Sequence, residues 1–164
     1  MYPQMSLNKQ LEQMLGSSEA VEPGAAKLFE RVFQRGRPGA LRKIFSAPTE
    51  PLHELSDVQM RNQHYMGMKT VDIEEINGTL NKAADFDGEF RPTQRHSEQR
   101  WLKVATAMMR GVELPPIELV KVGSSYYVRD GHHRVSVARA LGYRFLDAEV
   151  VVWDAAEDTE RKAS

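Results

Sequence analysis

The sequence predicts an α/β domain, α+β in character, with a small mixed sheet, helices packed on it and a helical N-terminal extension. Three observations predict it. Met68 to Ile73 alternates apolar and polar side chains as a strand does. Ile117–Val122 and Tyr126–Arg129 are two further strand-like runs joined by Gly123-Ser124-Ser125, a hairpin signal. Between and after them lie two segments with apolar residues at helical spacing, Trp101, Val104, Ala105 and Met108 in one and Val135, Val137, Ala138 and Leu141 in the other.

The elements follow in order. Leu7, Leu11, Met14 and Leu15 recur at helical spacing, and so do Leu28, Val32 and Phe33 after Pro23 opens a second helix. Gly16-Ser17-Ser18 and Gly36-Arg37-Pro38-Gly39 punctuate these segments, and the two prolines of 46–51 mark a linker. A short helix is expected from Leu55 to about Gln63 with Ser56 as its N-cap, then the strand from Met68, and a turn over Glu74–Gly78. Ser97 begins a helix that Gly111 ends, and Pro115-Pro116 forces an extended entry into the hairpin. A helix follows Asp130-Gly131, closed by Gly142 as its C′ residue, and a last strand runs from about Arg144 to Trp153. The expected domain organisation is a helical extension over 1–66, one domain over 67–154 and a polar tail over 155–164. A chain starting near Tyr65 should then fold alone, since the core pattern from Val71 to Val152 is complete.

Composition narrows the function. With 164 residues, 41% hydrophobic and 27% charged, the chain buries a real core, and no apolar run approaches the roughly 20 residues of a membrane span. The N-terminus lacks a basic region followed by an apolar stretch, so the expected location is cytoplasmic. The absence of cysteine excludes disulfides, thiolate nucleophiles and Cys-based zinc sites. A net charge of −1 gives no overall attraction to nucleic acid. Lys27, Arg31, Arg35, Arg37, Arg42 and Lys43 cluster locally, which fits either a basic patch or the solvated face of a helix.

The chemistry concentrates at Asp130-Gly131-His132-His133-Arg134. A strand that ends in Asp-Gly and opens directly into a helix presents unpaired N–H groups and the positive end of the helix dipole at one spot, an anion site. Gly131 removes a Cβ from the path of a ligand, while His132, His133 and Arg134 occupy the first turn, where a guanidinium binds phosphate bidentately. The competing reading has Asp130 capping the helix, Gly131 turning the chain, and the basic residues paired with Asp85, Asp87 or Glu89. Adjacent helical histidines diverge, and no third ligand has suitable spacing, so no metal site is expected. Trp101 and Trp153 read as packing residues; Arg95, His96 and Arg100 either face the phosphates across a cleft or are solvated.

The run Leu114-Pro115-Pro116-Ile117-Glu118-Leu119-Val120-Lys121-Val122, then Tyr126-Tyr127-Val128-Arg129 and the Asp130–Arg134 turn, then Val137-Ala138-Arg139-Ala140-Leu141-Gly142, resembles the ParB N-terminal/sulfiredoxin superfamily. Val71 to Ile76 resembles its opening strand and turn, so the likeness covers about Met68 to Trp153. Sulfiredoxins carry their reactive cysteine at the position of His132, so that activity is not expected here. The sequence ends about ten residues after Trp153, so a full centromere-binding clamp of the ParB kind is not expected either. The turn is most similar to Asp130-Gly131-His132-x-Arg134 as found in free-serine kinases, and Asp-Gly-His-His-Arg turns occur in ParB-like modules. A catalytic glutamate near the first strand would be Glu74, Glu75 or Glu89.

The resulting expectation is a module that binds nucleotide phosphates through Gly131, His132, His133 and Arg134, with Arg95, Arg100 and Glu75 in support. The nucleotide is CTP, ATP or ADP, with Mg²⁺ as a companion ion. If catalytic, the chain is a nucleotide-dependent kinase or NTPase using His132 or Asp130 as acid/base. The alternative is a protein- or DNA-interaction adaptor working through the basic N-terminal helices, and a homodimer is among the expected partners.

Overall fold

The computed structural model describes residues 9, 11, 13, 21–36, 50–55 and 60–155. Among them α1 is Pro23–Gly36, β1 His53–Glu54, β2 Met60–Asp72 and β3 Ile76–Thr79, with a 3₁₀ turn at Ile73–Glu75. A second 3₁₀ turn at Arg95–Ser97 leads into α2 at Glu98–Met109, followed by β4 Ile117–Val122, β5 Ser125–Asp130, α3 His132–Leu141 and β6 Phe145–Ala155. The strands form one mixed sheet in the order β1-β3-β5-β4-β6-β2. Neighbours β1/β3, β3/β5 and β4/β6 are parallel, while β4/β5 and β2/β6 are antiparallel. The α/β class with a mixed sheet and packed helices is therefore as the sequence predicts. No helix among the described residues is long and apolar enough to cross a membrane.

The hairpin β4–β5 forms where Gly123 takes a φ of +59°, and β5 runs straight through Asp130 into α3. α3 ends at Gly142, in the left-handed conformation expected of a C′ glycine, and its N–H bonds back to the last turn. This helix is buried on two sides. Val135 packs into the sheet core with Ile117, Leu119, Val128 and Val150, while Val137 packs with Phe29, Trp101 and Val104 of the helical core. α1 reaches α2 through Phe29, whose ring meets Trp101 edge-on at 5.4 Å and stacks on Phe33. Trp101 is fully buried and donates its Nε1–H to Ser136 Oγ at 2.9 Å, which joins α2 to α3 as a packing residue should.

Two expectations need correction. The helix over Leu55–Gln63 is absent at its described C-terminal end, because Met60–Gln63 belong to β2. That segment has no strong β-propensity of its own; the ladder to Trp153, Asp154 and Ala155 of β6 supplies the hydrogen bonds that a helix would have made internally. Glu74–Gly78 is more than a turn, since after the 3₁₀ turn Ile76–Thr79 forms β3 and pairs in parallel with β5. Only a partner distant in sequence makes so short a strand stable. The expected division at 66/67 falls inside β2. Lys9, Leu11 and Gln13 are helical and Leu11 is fully buried, whereas the remainder of the first expected helix and most of the 46–51 linker lie outside the described residues.

The loop between β3 and α2 is held by Asp87. Its carboxylate accepts from the backbone N–H groups of Glu89 and Arg91 at 3.0 and 2.8 Å and from Arg91 Nε at 2.7 Å. This lets Phe86 and Phe90 on either side plug the sheet core. Phe90 takes a φ of +56° to do so, a strained conformation for a bulky side chain that burial offsets.

Candidate functional site

The strand-to-helix turn divides its residues between structural and accessible roles. Gly131 has a φ of +99°, and a Cβ there would stand 2.6 Å from Ile117 Cγ2 and 3.1 Å from Arg134 Nε. The glycine is demanded by the left-handed backbone and by the core behind it. Arg134 is only 4% exposed; its Nη1 donates to the carbonyls of Pro115 and Pro116, the latter at 2.7 Å, and its Nη2 pairs with Asp130 at 2.8 Å. The guanidinium thus pins the extended Pro115-Pro116 entry of β4 against the turn. Asp130 is its exposed partner, so the pairing of the basic residues runs inside the turn and not to Asp87, which is saturated by its own loop.

His132 is also structural. Its Nε2 lies 2.6 Å from Thr79 Oγ1, and its ring stacks on Phe86 at 6.1 Å. Thr79 Oγ1 accepts from the N–H groups of Asn81 and Lys82, each at 3.1 Å, and its own hydrogen has two acceptors in reach, the imidazole and the Val128 carbonyl at 3.4 Å. Burial holds the His132 pKa down at about 4, which keeps the imidazole neutral near pH 7. The same threonine fixes the start of the loop that carries Lys82.

His133 faces a pocket of about 310 Å³, lined also by Lys82, Asp85, His96, Ser97, Arg100 and Lys103. Its Nε2 is buried without a hydrogen-bond partner. Burial pushes the imidazole down to about 3, and Arg100, His132, Lys82 and His96 push in the same direction. The potential in this pocket is therefore positive. Among the described residues, Lys82, Arg100 and Lys103 line it together with the carboxylate of Asp85, which bridges Lys82 at 3.7 Å and His96 at 3.4 Å. Both helices that border it, α2 and α3, begin without a side-chain cap: Gly131 has none to give, and Ser97 Oγ instead donates to Gln94 O at 2.9 Å.

The structure brings Arg100 and His133 together, as the sequence reading anticipates, and separates others. Arg95 pairs with Glu30 at 2.5 Å and Glu98 at 3.1 Å and lies 4.3 Å from the Phe33 ring centroid, so it ties α1 to the start of α2. Glu75 sits just before β3, whose first residue pairs with Tyr126 at the start of β5, whereas Asp130 ends β5. It is at the opposite end of the parallel strands from the turn and cannot support it. Lys82, Thr79 and Lys103 escaped sequence reasoning, and Asp85 entered it only as a candidate partner for the basic residues of the turn. Lys82 follows a strand end in a loop rich in polar residues, a weak signal, and Lys103 reads as an ordinary solvated helix position.

Fold and site together describe an α/β domain with an electropositive pocket at converging helix starts. No family model matches the sequence, and no curated protein matches it. A solved structure of a Pnob8-like ParB-N domain is similar to this chain at a TM-score of 0.39 and 16% identity, over 62% of this chain. The similarity spans 35% of that structure's own chain.

Proposed function

We propose that the chain binds a nucleotide, or a comparable phosphate ester, through its phosphates in the pocket beside the first turn of α3. The observation that carries this is the convergence of Lys82, Arg100 and Lys103 with the unpartnered Nε2 of His133 on one concavity. Positive charge gathered around a desolvated hydrogen-bonding group is costly by itself and is relieved by an oxyanion. Asp130, Gly131, His132 and Arg134 set the position of the turn. Arg100, Lys82 and Lys103 supply the charge, and neutral His133 supplies a hydrogen bond. CTP, ATP or ADP remain the nucleotides of interest. A Mg²⁺ carried by the phosphates would find a carboxylate in Asp85 of the described lining and would neutralise phosphate charge there.

Calorimetric titration of CTP, ATP, ADP and GTP, with and without Mg²⁺, tests the reading. The wild type should bind at least one of them, and Lys82→Ala/Arg100→Ala should weaken it by about tenfold or more, the loss of one or two charge-assisted contacts. No binding by the wild type, or equal binding by the double variant, would overturn it. A second reading, an adaptor for nucleic acid or an acidic protein, draws on α1, where Lys27, Arg31 and Arg35 are exposed at four-residue spacing on one helical face. Under that reading Lys27→Glu/Arg31→Glu removes the interaction while nucleotide titrations show nothing.

A further inference from the structure

A second pocket, about 490 Å³, opens between α1, the 3₁₀ turn after β2, the loop around Phe90 and the end of α3, and shares no lining residue with the first. Five arginines line it, Arg31, Arg35, Arg91, Arg139 and Arg144, against the carboxylates of Asp72, Glu74 and Glu89. Internal pairing accounts for part of this charge. Arg144 meets Asp72 at 3.3 Å, Arg139 meets Glu89 at 3.6 Å, and Arg91 is neutralised from behind by Asp87 at 2.7 Å. Among the described lining residues, five arginines thus stand with three carboxylates, and Asp87 lies behind Arg91.

Two groups are unmet. Arg31 is exposed on α1 and has no partner among the described residues. Arg139 donates Nη2 to the carbonyls of Ile73 and Ile76 at 3.0 and 3.2 Å, yet its Nε–H is buried without an acceptor. An orphaned guanidinium donor costs free energy, and Arg139 is one of the residues that line the pocket. The cationic donors reach the cavity from α1, α3 and the segment after α3, several directions that a tetrahedral oxyanion satisfies better than a planar carboxylate. Glu74 and Glu89, both exposed at the same pocket, are acceptors suited to hydroxyl groups. The volume is that of a small-molecule site.

We propose that this pocket binds a small phosphomonoester bearing hydroxyls, a sugar phosphate in chemical class, with Arg31 and Arg139 as its phosphate contacts. Glucose 6-phosphate is the probe, followed by the amide NMR spectrum of the full chain. Saturable shifts are expected at Gly142, Tyr143 and Arg144, with glucose alone producing none. They should persist in Lys82→Ala/Arg100→Ala, which disables only the first pocket. They should require about tenfold more ligand in Arg31→Glu, and several-fold more in Arg31→Ala, which preserves the exposed helical surface and serves if the charge reversal disturbs folding. Absence of shifts at Gly142–Arg144, their loss in the first-pocket variant, or unchanged affinity in the folded Arg31 variants would overturn the assignment.

Discussion

At Gly131 and Arg134 the turn shows how one motif divides between holding the fold and meeting a ligand. Gly131→Val should cost about 2 kcal/mol or more, since it combines a strained positive φ with a contact that Ile117 cannot relax without opening the core. Arg134→Ala should cost about 3 kcal/mol, because it strands two prolyl carbonyls beside a cavity, and urea unfolding of both variants measures this. Arg100→Ala, by contrast, should leave the unfolding midpoint nearly unchanged and reduce only phosphate binding. The two histidines make stability depend on pH. Their folded pKa values, about 4 for His132 and about 3 for His133, lie below the unfolded value near 6.5, so the unfolded chain binds more protons through that interval. Stability from this source is fully present above about pH 6.5 and is lost as pH falls toward the folded values. The slope should approach about 1–3 kcal/mol per pH unit between pH 6 and 4, and His133→Gln should roughly halve it in urea unfolding followed against pH.

Among the elements, α3 carries the most because both of its faces are covered, one by the sheet and one by the α1–α2 pair. The sequence displayed its apolar residues and its Gly142 stop, but the presence of Val135, Ser136, Val137 and Ala138 in an unbroken buried run belongs to neither a simple amphipathic helix nor a strand. That run makes sense only once two layers press on it. α1 is read correctly from Pro23 to Gly36, and its role emerges from Phe29, which fills the space beside Trp101 and Phe33. Phe29→Ala should destabilise the domain by about 3–4 kcal/mol, the range for a fully buried aromatic, and thermal unfolding checks it. A much smaller effect would mean that α1 docks without sharing the core. The strands that the sequence missed, β1 and β3, are two and four residues long. Such strands carry almost no periodicity, and parallel pairing leaves no hairpin signal between them.

For the molecule as a whole, the question is where the folding unit begins. Chain starting at Tyr65 loses α1, β1 and the first residues of β2, and with them the cover over Trp101, Val104 and Ala107. We expect such a truncation to unfold without a cooperative transition and to bind a hydrophobic dye, where the sequence pattern alone suggested an independent domain; a sharp transition near that of the full chain would refute this. What the sequence determined by itself was local: the α/β class, the β4–β5 hairpin, the helix after Asp130-Gly131 and the concentration of polar chemistry around that turn. These rest on glycine conformations, proline restrictions and short periodicities, which operate over a few neighbouring residues. The tertiary structure alone decided which members of the turn are spent on the fold and which face a pocket. Arg134 is committed by the Pro115 and Pro116 carbonyls, His132 by Thr79, and His133 is joined to Lys82 and Arg100 from other elements. A side chain's role depends on which distant partner satisfies its hydrogen bonds and charge, and that partner is chosen by sheet order and helix packing, not by spacing along the chain.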